Sequence, residues 1–315
     1  MHQKSYPFFE KPPDEIRQKE ICVHLREAHP MLFCGEIGKS TLGRPLRFFR
    51  IGRGKQAILY VGAHHGMEWV TSLVLFRFVD DLMKAISRRG MGNLLGKDRS
   101  LFVLPMLNPD GVEIELHGAS AAGLLRDRIL AQNGGNEDFT HWQANARGVD
   151  LNHNYDAGFG AYKEKEKEMG IFGGAPTRYS GPAPFSESES AAMRDFLLFT
   201  HPALTLTLHT QGEEIFYHKA DPPVKGAENY GWMLATLTGY RLGQAKGAAA
   251  YGGMSDYIAE KLHLPAYTLE CGLGKNPLSC EAGEGIYRGL RRALFLSLIT
   301  AYFGYPKKED TVWNA

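Results

Sequence analysis

Ile58–Trp69 reads ILYVGAHHGMEW. An apolar run of β type ends at Gly62-Ala63, and two histidines and a glutamate, His64, His65 and Glu68, follow at once. Thr71–Ile86 (TSLVLFRFVDDLMKAI) then repeats apolar residues at helical spacing, so the stretch reads strand, short loop, helix. A polar cluster in such a turn sits where α/β sheets gather ligands, outside the carboxyl ends of their strands. His65 and Glu68 stand three residues apart, within reach of one ion from a tight loop, and imidazole with carboxylate suits zinc.

Outward from this stretch the same alternation continues. Residues 45–63 hold two β-type runs around a Gly-Arg-Gly turn, and Ser100–Leu107 is a buried-strand run stopped by Asn-Pro-Asp-Gly. Further strands are expected at Ala203–His209 and Ala266–Glu270, and helices after Ser186, near Tyr230–Thr238 and over Gly289–Ala301. Ser186 with Glu189 reads as a capping box, and the charged run Tyr162–Glu168 (YKEKEKE) as a solvated helix or loop. Strands alternating with helices argue for one α/β domain around a mixed sheet. We set its limits at 21–305, with an N-terminal arm at 1–20 and a tail at 306–315.

Composition bounds the function. The 315 residues carry 36 Lys+Arg against 35 Asp+Glu, a net +1, so no global field draws nucleic acid or anionic membrane. Apolar residues at 43% exclude a disordered chain, and no apolar run approaches the ~18 residues of a membrane span. The leading segment MHQKSYPFFEKPPDEIRQKE lacks an apolar core of signal-peptide type, and the four cysteines are scattered without a C-x-x-C pair. Both point to reduced thiols and a cytoplasmic location. GEIGKST (Gly35–Thr41) ends like a phosphate loop but has Phe33 where the first glycine belongs, and Ser120 lacks the glycines of a nucleophile elbow.

Two more strand ends carry chemistry. In LTLTLHTQGEE the alternation stops at His209, a third ligand candidate; standing alone it would more simply be a histidine bonded to a backbone carbonyl. In LPAYTLECGLG the strand ends in Glu270, which belongs near a cation or serves as a general base.

These residues resemble the zinc metallocarboxypeptidases of carboxypeptidase A type. The likeness runs in order through GKSTLGRPL, HGMEW, NPDG (Asn108–Gly111), GVDLNHNY, YSGPAPFSESE and YTLE. It implies a single domain with an eight-stranded mixed sheet flanked by helices. It also implies one zinc ion held by His65, Glu68 and His209, with Glu270 as the base and His64 a neighbour. Three positions depart from that family. His153, beside Asn152, stands where an arginine grips the substrate's terminal carboxylate, and Gln143 stands where an arginine polarises the scissile carbonyl, with Arg147 as a substitute. Ala248 takes the place of the mobile tyrosine, with Tyr251 the nearest stand-in, and Ser255 falls at the position of side-chain preference. WQANARGVDLNHNY and LHTQGEEIFY are similar to the bacterial γ-D-glutamyl-L-diamino acid peptidases, which implies a small murein peptide as substrate, cut at the γ-D-Glu–diamino acid bond. A general metallocarboxypeptidase, a zinc-dependent N-acyl amino acid deacylase and a pseudoenzyme that binds metal or peptide without turnover stay open as alternatives.

Overall fold

The computed structural model describes residues 6–88, 95 and 97–300. The tail expected at 306–315, residues 301–305 and the first five residues of the arm lie outside them.

The strands are β1 (Phe33–Lys39), β2 (Pro45–Gly52), β3 (Gln56–Val61), β4 (Arg99–Leu104), β5 (Leu204–His209), β6 (Glu214–Phe216), β7 (Arg241–Gly243) and β8 (Ala266–Glu270). They form an eight-stranded mixed sheet in the order β1-β2-β4-β3-β5-β8-β6-β7. The block β4-β3-β5-β8 is parallel, and β2 and β6 join it antiparallel. The helices are α1 (Glu15–Ala28), α2 (Val70–Arg88), α3 (Pro109–His117), α4 (Arg126–Gln132), α5 (Phe159–Glu168), α6 (Ser188–Thr200), α7 (Ala227–Thr238), α8 (Met254–Leu262) and α9 (Cys280–Thr300). Among the described residues, none is long and apolar enough to cross a membrane.

The unbroken apolar runs of β3 and β4 follow from burial on both faces of a parallel sheet. Ile58, Tyr60, Leu101 and Val103 pack with α2 and α9, while Leu59, Val61, Phe102 and Leu104 face α6 and α8. The chain leaves β3 for β4 with α2 on one face and reaches β5, on the other side of β3, with α6 on the opposite face. The carboxyl ends of β3 and β5 therefore flank a topological switch point, where such sheets open a crevice.

Three expectations need adjusting. The arm boundary at residue 20 falls inside α1, which Asp14 caps by accepting from the Arg17 amide (2.8 Å) and which buries Ile21 and Leu25 completely. The expected capping box does not form: Glu187 is the N-cap of α6, and Glu189 is buried, accepting from the Thr41 amide (3.0 Å). The YKEKEKE run is helical, yet Glu166 is buried and accepts from both the amide and the hydroxyl of Ser180 (2.8 and 2.7 Å).

Candidate metal centre and active site

The loop between β3 and α2 is shaped by contacts that leave no room for larger residues. A Cβ on Gly66 would stand 2.4 Å from the Gly111 carbonyl oxygen and 2.7 Å from that of Trp142, so only glycine admits this approach. Asn108, fully buried, caps α3 through Oδ1, which accepts from the Gly111 amide (2.9 Å). Its Nδ2 donates to the carbonyls of His64, Gln143 and Ala144 at 3.0–3.1 Å. The NPDG turn thus fastens the histidine loop to the 142–144 segment. Thr71 closes the loop from the other side, accepting from the Ala63 amide and donating to the Glu68 carbonyl.

This scaffold brings His65, Glu68 and His209 together. One ligand atom from each lies within 4.8 Å of the others. Glu68 is central, with Oε1 2.9 Å from His65 Nδ1 and Oε2 3.0 Å from His209 Nδ1. Burial pushes its carboxyl up, but the two imidazoles more than offset that and hold it down at about 2. His65 Nδ1 is buried and, although close to the carboxylate, lies out of hydrogen-bond alignment with any partner. A ring nitrogen and a carboxylate oxygen converging this way suit a shared cation better than each other. His65 Nε2 is taken by Asp150 Oδ1 at 3.1 Å. Asp150, buried, also accepts from the Asn152 and Arg178 amides and so is itself fixed. A carboxylate on the outer nitrogen orients a ligating histidine and raises its basicity. Burial disfavours the charged His65 ring, yet Glu68 and Asp150 lift its pKa well above the usual value. The residues therefore fit zinc. Sequence reasoning missed Asp150 as a partner of His65, 85 residues away. Its only signal was an acid within GVDLNHNY.

His64 is fully buried, with both ring nitrogens lacking a hydrogen-bond partner, and stacks on His209 at 5.0 Å. Burial and the neighbouring His209 push its pKa well down, which keeps it a neutral packing partner.

Glu270 is the register partner of His209, at the ends of adjacent parallel strands. Burial, with Glu68 adding to it against the pull of His209 and His65, pushes its carboxyl up to about 7. His65, His209 and Glu270 line one cavity of about 810 Å³, together with Asn152, His153 and Ser255. Gln143, Arg147 and Tyr251 do not line it: Arg147 Nε lies 3.6 Å from Glu187, and the Tyr251 ring packs against Gly158. The Gln143 backbone instead supports the histidine loop, accepting from the Gly66 amide (3.1 Å). Ser255 Oγ is 3.0 Å from Thr268 Oγ1, which gives the cavity a small polar wall.

The α/β fold and the candidate metal cluster agree with the family the chain belongs to, the zinc carboxypeptidases, whose model matches residues 19–287. That family uses zinc, and the His65–Glu68–His209 cluster could hold the ion. The chain is 31% identical over 272 residues to gamma-D-glutamyl-L-diamino acid endopeptidase 1 of Lysinibacillus sphaericus, covering 84% of this chain and 66% of that one, slightly under two thirds of its length. It is also 31% identical over 295 residues to the uncharacterised Bacillus subtilis protein YqgT, covering 90% of this chain and 77% of the relative. Among solved structures, carboxypeptidase A of Helicoverpa armigera shares the fold, with a TM-score of 0.70 at 21% identity over 95% of this chain and 78% of the other.

Proposed function

We propose that the protein hydrolyses the amide bond between γ-D-glutamate and a diamino acid in murein peptides. The observation that carries the hydrolytic part is the convergence of His65, His209 and Glu270 on one cavity, with Glu68 directly behind the histidines. The substrate class is supported by the named activity of the Lysinibacillus relative.

In this reading zinc, held by His65, Glu68 and His209, supplies Lewis-acid chemistry, polarising a carbonyl and making water acidic near neutral pH. Glu270 is the proton carrier: its carboxylate, at the strand end beside His209, accepts a proton from water and returns it to the leaving amine. Asp150 keeps His65 in one tautomer and one orientation.

Asn152 and His153 take the substrate's carboxylate. Asn152 Oδ1 accepts from the Met254 amide (3.1 Å), so Nδ2 is the donor it offers. His153 Nδ1 lies 2.7 Å from the Tyr251 carbonyl oxygen and must donate to it, and the ring stacks on Tyr162 at 3.9 Å. Its Nε2 can therefore donate to a carboxylate only as the imidazolium, unlike a permanently charged arginine. Gln143 and Arg147 enter as oxyanion donors only if their side chains turn toward the cavity when substrate binds. Tyr251 contributes through its carbonyl, which fixes His153. The four unbridged cysteines accord with a reducing, cytoplasmic setting in which such peptides are recycled.

The test is hydrolysis of L-Ala-γ-D-Glu-diaminopimelate beside hippuryl dipeptides. The proposal expects release of free diaminopimelate; cleavage of the dipeptides alone overturns it.

A further inference from the structure

By the family resemblance, His153 stands in place of the arginine that grips the substrate's carboxylate and Gln143 in place of the one that polarises the scissile carbonyl, so the cavity's fixed positive charge has to be sought elsewhere along its wall. Apart from histidines, the cations that line it among the described residues are Lys219 and Lys246. Their placement is not scattered. β6 and β7 are adjacent parallel strands whose last register pair is Phe216 with Gly243. Lys219 and Lys246 each follow that pair by three residues, on the two loops leaving the same end of the sheet.

Glu214, His218 and Asp256, which line the cavity near these two loops, already have partners. Glu214 pairs with Arg241 at 2.7 Å. His218 pairs with Asp256 at 3.3 Å and Glu260 at 3.0 Å, and Asp256 also accepts from the Gly253 amide. Lys219 and Lys246 have no carboxylate partner among the described residues, and both are exposed. Two unpaired ammonium groups on flexible stems, facing a polar cavity from adjacent loops, form an anion-accepting rim.

We propose that Lys219 and Lys246 hold the distal carboxylate of the diamino acid side chain, and so set a preference for diaminopimelate over lysine. This rests on the murein reading above, because those two diamino acids differ at the side-chain end by that one carboxylate. In this proposal the reactive amide lies at Glu270, and the side chain follows the register from the Glu214–Glu270 pair past Phe216–Thr268 toward Lys219 and Lys246, which line the same cavity. Diaminopimelate then meets the lysines with a full negative charge. Lysine brings only an ammonium group, which the rim repels.

The test uses zinc-loaded wild type, Lys219→Gln, Lys246→Gln and the double variant. Calorimetry measures binding of free meso-diaminopimelate and of L-lysine, and kinetics measures KM for the two corresponding tripeptides. Exposed ion pairs are weak singly, so the double variant should lose about five- to tenfold in affinity for diaminopimelate. Lysine binding should be unchanged or slightly tighter, kcat on both peptides within about twofold, and thermal stability unaltered. Equal weakening toward both ligands, or no weakening toward diaminopimelate, overturns the assignment. Failure of wild type to cleave either tripeptide overturns the murein reading instead, and the binding comparison still decides the role of the lysines.

Discussion

Glu270 should make the metal-free protein less stable as pH rises, and Glu270→Gln should relieve this. Its carboxyl ionises near 4.5 when unfolded, but burial beside Glu68 pushes it up to about 7 in the fold. Between those values the folded state holds a proton that the unfolded state has lost, so stability declines with rising pH. The penalty is absent below about 4.5, grows through the interval and is complete above about 7. At ~1.4 kcal/mol per pH unit the full displacement corresponds to about 3 kcal/mol. Glu270 is only half-buried at the cavity wall, so solvent screening brings the expected effect to about 1–3 kcal/mol. Urea unfolding of chelator-treated wild type and Glu270→Gln at pH 4.5 and pH 8 reads it directly. The two should match within error at the lower pH, and the variant should be more stable by that margin at the higher one. A difference independent of pH, or a less stable variant at pH 8, would refute the assignment of a strained, proton-holding carboxyl.

Asp150→Ala frees His65 Nε2 and should weaken zinc binding by about 10–100-fold, measured by competition with a chromophoric chelator. An affinity within twofold of wild type would deny Asp150 its orienting role. Asn108→Ala removes the α3 cap, about 1 kcal/mol, and withdraws the donor from three carbonyls around the histidine loop, where a buried carbonyl left unsatisfied costs about 1–3 kcal/mol. A loss of about 3 kcal/mol, seen in a 315-residue chain as a melting point lower by roughly 4–5 °C, is expected, and a shift under about 2 °C would contradict it.

Much of the sheet is legible in the sequence because buried parallel strands are apolar throughout. β8 occupies Ala266–Glu270 as read, and β5 starts at Leu204, one residue after the expected Ala203. The ends of those strands give His209 and Glu270, and a polar residue closing an apolar strand is visible to pattern alone. β6 and β7 are three residues each, too short for periodicity to register, and with them the wall carrying Lys219 and Lys246 stays hidden. α9 begins at Cys280 rather than Gly289, because Gly283, Gly285 and Gly289 weaken the local helical signal while tertiary packing overrides it. Gly283 lies against the Phe9 ring, where a Cβ would approach to 2.3 Å. Glu189 and Glu166 mislead for a related reason. Their spacing suggests a cap and a solvated face, yet distant backbone amides at Thr41 and Ser180 claim both carboxylates. Asp150 and Asn108 act across 85 and 44 residues of chain, so their roles exist only in three dimensions.

The most direct measurement compares wild type and Glu270→Gln, at matched zinc occupancy, on L-Ala-γ-D-Glu-diaminopimelate. The account predicts that both bind zinc through His65, Glu68 and His209. Wild type should release free diaminopimelate and the variant should turn over at least about 100-fold more slowly, the share expected of a positioned general base. Equal rates, or wild-type activity that survives removal of zinc, would contradict it.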